Sequence, residues 1–201
     1  MRKPVILLSA AILAAASIVI CPRPAFTAPT FGFNAAGLAT LNIGDFTVET
    51  YASSLTIESV GSATKSGVIY TFPIVGGAVD AGSVVLEAVG AGGMRFTNGT
   101  SVVTLDEPIV NTTASPEIMT FLVTVNGSLQ GRFAIFTLQA PNYAKPQALS
   151  AGNLFKAPNI TVTLSEVGAK VFNTTLGTTF ATGLSVGTLK VKTTVGPKLP
   201  G

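Results

Sequence analysis

The sequence predicts an all-β chain, an antiparallel β-sandwich with one short helix near residues 165-176, and three observations carry that prediction. Short apolar–polar alternations recur from about residue 38 to the end, apolar residues at three- and four-residue spacing occur convincingly once, and 21 glycines with two Asn-Gly pairs supply tight turns. Nothing ahead of that single helix has enough helical periodicity to cover a parallel sheet, so antiparallel pairing remains.

Taken in order, the first 28 residues are a secretory signal. Arg2 and Lys3 form a positive head, Val5 to Ile20 is an apolar run, and small residues follow through Ala25 and Ala28, which places the mature start near Pro29. About 16 apolar residues fall short of the roughly 20 that span a bilayer, so no stable transmembrane segment is expected after cleavage. Cys21 follows Ile18-Val19-Ile20 rather than the small residues of a lipoprotein signal.

Strands come next. Leu38 to Tyr51 and Ser54 to Val60 alternate, and Val68 to Ile74 forms another strand closed by Gly76-Gly77. Pro73 cannot donate to a ladder, which puts that strand at an edge or at a change of direction. Val84 to Val89 is a strand, and Met94–Thr97 is joined to Ser101–Leu105 by a primed turn with positive φ at Asn98 and Gly99. Ile109-Val110, Thr120–Val125, Arg132–Leu138 and Ile160–Leu164 follow, with a second Asn-Gly turn at Asn126-Gly127. Leu164, Val167, Val171, Phe172 and Leu176 give the helix its face, Ser165 its cap and Gly177 its stop, against the unfavourable Gly168 and Asn173-Thr174-Thr175. A last strand from Gly187 to Val195 completes a single domain over 29-196, before a flexible tail at 197-201. Pro141 to Pro158 is the longest irregular stretch.

Composition limits the chemistry. The absence of histidine removes the usual general base and the commonest zinc ligand, and a single cysteine removes thiolate clusters and intramolecular disulfides. Three of the 12 basic residues, Arg2, Lys3 and Arg23, lie in the leader, leaving nine against nine acidic residues. A neutral domain has no long-range field to gather nucleic acid, so no nucleic-acid partner is expected. Lys190 and Lys192 share one strand face, read as a solvent face or protected edge.

Other sites remain weak on spacing alone. Gly90-Ala91-Gly92-Gly93 lacks the lysine and hydroxyl of a phosphate loop and reads as a turn or bulge. Asp45, Asp80, Asp106 and Glu107 lack the spacing of a calcium loop, so no metal site is assigned. Glu49 with Glu58, or Asp106 with Glu107, would be the carboxylate pairs of a glycan hydrolase, the least favoured reading. Asn98, Asn111, Asn126, Asn159 and Asn173 open five N-x-S/T matches. Tyr51, Tyr70 and Tyr143 are the only phenols; tyrosinate can ligate haem iron without histidine, and Tyr51 sits at a break between strand-like stretches.

Tyr51, Thr71-Phe72-Pro73-Ile74, Gly76-Gly77-Ala78-Val79-Asp80, Gly92-Gly93-Met94-Arg95-Phe96-Thr97, Thr104-Leu105 and Pro108-Ile109-Val110 together resemble the HtaA-type secreted domains of actinobacteria, over roughly residues 45 to 140. The resemblance implies a β-sandwich with a small helical part, secreted or held at the cell surface, and in several members haem bound through a tyrosine and a nearby histidine. Tyr51 is the counterpart of the ligating tyrosine, while the histidine is missing and Gly90-Ala91-Gly92-Gly93 replaces the family's glycine-histidine segment. The leading expectation is therefore a non-catalytic secreted or cell-surface protein without cofactor, in a structural or protein-interaction role, whose partner is a protein, an envelope component or itself. The alternative is an extracellular small-molecule binder, haem included, with Tyr51 as ligand.

Overall fold

The computed structural model describes residues 30–46, 54–83, 85–140 and 149–199. The predicted signal segment, Tyr51 and Tyr143 lie outside them. Twelve strands run β1 (Thr30–Phe33), β2 (Gly37–Asn42), β3 (Thr56–Val60), β4 (Thr64–Ser66), β5 (Ile69–Asp80), β6 (Leu86–Gly90), β7 (Gly93–Asn98), β8 (Ser101–Asn111), β9 (Ile118–Val125), β10 (Ser128–Gln139), β11 (Leu154–Leu164) and β12 (Ser185–Lys198), with helix α1 (Glu166–Leu176) between the last two. Every pairing among them is antiparallel. The fold is the all-β sandwich that alternation predicts.

The two layers share one hydrogen-bonded path. β5 pairs with β2, β2 with β12, and the ladder continues through β11, β10 and β9 to β8, with β7 and β3 beyond it. β6 bridges β5 and β8, so the path also closes on itself. The core fills the space between, with Tyr70, Phe72, Phe96, Phe121, Phe136, Phe155 and Phe172 fully buried. Phenylalanine is the main filler because no tryptophan is available and each ring removes a large apolar area from water.

Several local readings hold for the stated reasons. Asn126 (φ 48°) and Gly127 (φ 82°) form the two-residue primed turn between β9 and β10. Ser165 caps α1 by accepting from the Gly168 amide at 2.9 Å, and Gly177 ends it in the left-handed region (φ 67°). Gly168 proves to be the point of contact with the sheet: a Cβ there would stand 2.3 Å from the Ile135 carbonyl oxygen of β10. The buried side of α1 is accordingly Gly168, Ala169, Phe172 and Leu176, and Val167 faces solvent instead of the core.

Other readings change. The strand predicted from Leu38 to Tyr51 ends at Asn42, whose Oδ1 accepts from the Gly44 amide at 2.9 Å and turns the chain into a helical turn at 44–46. The β7–β8 turn lies one residue later than predicted: Asn98 pairs with Ser101, only Gly99 takes positive φ, and the Asn98 amide instead donates to the Leu176 carbonyl at the end of α1. β5 is flanked on both sides, and Pro73 falls where its neighbour changes from β4 to β6, a gap where no donor is required. β12 runs to Lys198, paired with Phe31, and the Leu199 amide donates to the Thr30 carbonyl, so the first residues of the predicted tail belong to the sheet.

Candidate functional site

At one end of the sandwich a helical turn, a strand, a helix and a loop converge on four phenylalanines. Phe46 comes from the turn after β2, Phe96 from β7, Phe172 from α1 and Phe180 from the loop beyond it. The Phe96 and Phe172 ring centroids are 4.7 Å apart and those of Phe46 and Phe180 5.0 Å, with tilted planes, the offset geometry that ring quadrupoles favour. Asn173 locks the loop by donating to the Phe180 carbonyl and accepting from the Phe180 amide and the Thr178 hydroxyl. All four rings are buried, so the cluster is closed against itself. In sequence, Tyr51 lies between Phe46 and Ser54, in residues 47–53, outside the described residues.

Tyr70 is a different kind of phenol. It is fully buried, its hydroxyl donates to the Ile57 carbonyl at 3.0 Å, and the Lys65 ammonium lies 5.6 Å from the ring centroid while also donating to Ile57. Burial first, then the neighbouring Glu58 charge, pushes the phenol up to about 12. A phenol fully buried and committed to a main-chain carbonyl presents no open oxygen to a ligand.

Gly90-Ala91-Gly92-Gly93 is a break in the ladder, as its composition suggests. β6 and β7 lie on either side of it, and β8 exchanges one for the other through a bulge at Asp106–Ile109. A Cβ on Gly93 would stand 1.9 Å from the Leu105 carbonyl oxygen, so only glycine allows this approach. Glu107 adopts φ 49° in the bulge; its amide donates to the Gly92 carbonyl and to Asp106 Oδ1, and its carbonyl and carboxylate both accept from Arg132, at 2.7 and 3.3 Å. Partial burial lowers the Arg132 pKa, with the Glu107 charge acting in the opposite sense. An open depression of about 490 Å³ lies here, lined by Ser62, Val75, Val89, Asp106 and Glu107 among others. Its size suits a small ligand, but no ring or phenol lines it and both carboxylates already serve the bulge.

The remaining sequence-derived sites are dispersed. Asp80 Oδ1 accepts from the Gly82 and Ser83 amides, closing the β5–β6 connection, and Asp45 accepts from the Ser185 hydroxyl. Among the described residues no three His, Cys, Asp or Glu side chains are grouped to hold a metal ion. Glu49 lies outside the described residues, so its pairing with Glu58 has no geometry. Of the N-x-S/T asparagines, Asn98 and Asn173 donate to main-chain carbonyls, and Asn111 and Asn126 accept main-chain amides. Their abundance reflects turn chemistry.

No protein-family model and no curated protein matches the chain. Among solved structures the chain is similar to the C-terminal domain of HtaA from Corynebacterium glutamicum, with 16% identity, a TM-score of 0.62, and coverage of 83% of this chain and 99% of that one. It is also similar to heme binding protein HtaB of the same organism, at 12% identity and a TM-score of 0.56, over 83% of this chain and 94% of that one. A third is the domain-swapped dimer of a histidine-to-alanine variant of the HtaA C-terminal domain, at 18% identity and a TM-score of 0.53, over 75% and 90%. The chain thus has the HtaA-type fold implied by its Phe-Pro-Ile and Gly-Gly-Met-Arg-Phe segments.

Proposed function

We propose that this is an exported, non-catalytic binding domain for a haem-type ligand, held through Tyr51. This reverses the order of the two leading sequence expectations, because the likeness to a heme binding protein over 83% of the chain favours the small-molecule alternative over a purely structural role. The donor inventory of the described residues sharpens it. They contain no histidine or cysteine, their two methionines, Met94 and Met119, are fully buried, and Tyr70 is committed to Ile57. Among the described residues, therefore, no histidine, cysteine, accessible methionine or uncommitted phenol is present as an iron donor. Of the phenols outside them, Tyr51 lies in sequence between Phe46 and Ser54, and that position is the observation on which the assignment rests. A bound haem would supply a ferric Lewis acid; the chain's part would be the anionic oxygen donor of Tyr51.

Titration of residues 29–201, which contain every described element, with haemin tests the reading. A saturable Soret band that is lost in Tyr51→Ala and kept in Tyr143→Ala is the expected result; no saturable band, or loss confined to Tyr143→Ala, refutes it. Self-association is the second reading, supported by the domain-swapped dimer among the similar structures. It predicts a concentration-dependent dimer in sedimentation regardless of haemin.

A further inference from the structure

The two Asn-Gly pairs of the chain share one intrinsic chemistry and are held in opposite ways. At the β9–β10 turn Asn126 and Gly127 are both exposed, and a Cβ on Gly127 would meet nothing within 4 Å. The Asn126 Oδ1 accepts from the Val102 amide at 2.8 Å, while its Nδ2 donates to no described group. At the β7–β8 turn the polarity is reversed. Asn98 is half-buried, its Nδ2 donates to the Leu176 carbonyl at 2.8 Å, and its Oδ1 accepts from no described group.

We propose that Asn126 is a site of spontaneous deamidation and that α1 protects Asn98 from the same reaction. The Gly127 main-chain nitrogen gives its proton to hydroxide and attacks Asn126 Cγ. A C–N bond forms, the Cγ–Nδ2 bond breaks, and Nδ2 takes a proton from water and leaves as ammonia. Water then opens the cyclic imide at either carbonyl, leaving aspartate or isoaspartate at position 126. Glycine has no Cβ to crowd the attack, at either turn. The difference lies in the oxygen and the leaving nitrogen. Attack on Cγ drives negative charge onto Oδ1, and at Asn126 the Val102 N–H already stands at hydrogen-bond distance to stabilise it. The departing Nδ2 breaks no bond there. At Asn98 it must give up the Leu176 carbonyl, and the charge on Oδ1 would form without a donor, beside the negative end of α1. Aspartate at 126 keeps an acceptor for Val102, so that product leaves the turn in place, whereas isoaspartate adds a methylene to the main chain of a two-residue turn and disturbs its register. Either product adds a negative charge to the hairpin tip. The inference is independent of the haem reading.

Peptide mapping by mass spectrometry tests it, after incubation of residues 29–201 at mildly alkaline pH in buffer and in concentrated urea. In buffer, conversion at Asn126 is expected to run at least several-fold ahead of that at Asn98; in urea, with both turns undone, the two rates are expected to converge. Ser165→Ala loosens the start of α1 without touching either turn, and is expected to raise conversion at Asn98 and leave Asn126 unchanged. Equal rates in buffer, or a faster Asn98, overturns the proposal. So does an Asn126-first order that persists unchanged in urea, which would assign it to local sequence instead of the fold, and an unaltered Asn98 rate in Ser165→Ala overturns the protective part given to α1.

Discussion

Replacing Phe172 by alanine should remove the keystone of the phenylalanine cluster. Its ring is fully buried and lies 4.7, 6.0 and 6.1 Å by centroid from Phe96, Phe46 and Phe180, which come from three other parts of the chain. Phe→Ala in a core costs about 3–5 kcal/mol, the upper part applying where neighbours cannot collapse into the void. Here β7 is held in the sheet and Phe180 is fixed by Asn173, so collapse is restricted. At about 2–4 °C per kcal/mol for a domain of this size, the melting temperature should fall by roughly 10–15 °C. Phe172→Leu keeps most of the volume and should cost only about 1–1.5 kcal/mol. Urea unfolding followed by far-UV circular dichroism measures both, there being no tryptophan to report. The midpoint should move with the slope unchanged. A Phe172→Ala loss below about 1 kcal/mol, or equal losses for alanine and leucine, would refute the packed cluster.

Gly168→Ala is expected to destabilise although alanine is the better helix former: about 1 kcal/mol of propensity is gained, but a Cβ 2.3 Å from the Ile135 carbonyl oxygen forces α1 off β10, and thermal melting should show a net loss. Ser165→Ala removes the acceptor of the Gly168 amide and the donor to the Ala134 carbonyl, and should cost about 1–2 kcal/mol in urea unfolding. Tyr70 has a folded pKa of about 12 against an ordinary value of 10.0. Its neutral form is therefore favoured by folding; that stabilisation is whole below pH 10.0 and is lost as pH rises through about 12. Stability measured against pH should fall across that window in the parent and fall less in Tyr70→Phe, which itself costs about 1 kcal/mol at neutral pH because Lys65 still donates to the Ile57 carbonyl.

Much of the fold is legible in the sequence because its determinants are local. Alternation marks the strands, Asn126-Gly127 dictates a primed turn, and Ser165 with Gly177 brackets α1. The failures come from tertiary terms. Val167 fits the helical period, but Gly168 decides which side of α1 meets β10, and that depends on the position of Ile135 across the fold. The β7–β8 turn shifts by a residue because Asn98 is recruited by the end of α1, 78 residues away. Pro73 looks like an edge residue until β4 and β6 are seen to leave it a gap. Lys190 and Lys192 can be placed on one face by period alone, whereas Lys156 joins them only through the β11–β12 register. Tyr51 is named from the break between strand-like stretches and from the resemblance; it lies outside the described residues, and the fold speaks only to Tyr70, whose hydroxyl is committed to the Ile57 carbonyl.

Resonance Raman spectroscopy of the ferric haemin complex is the most direct test of Tyr51 as the ligand. Iron–tyrosinate modes present in the parent and in Tyr70→Phe, and absent in Tyr51→Phe, are the predicted result. Their persistence in Tyr51→Phe, or their absence from a saturable parent complex, would contradict the account.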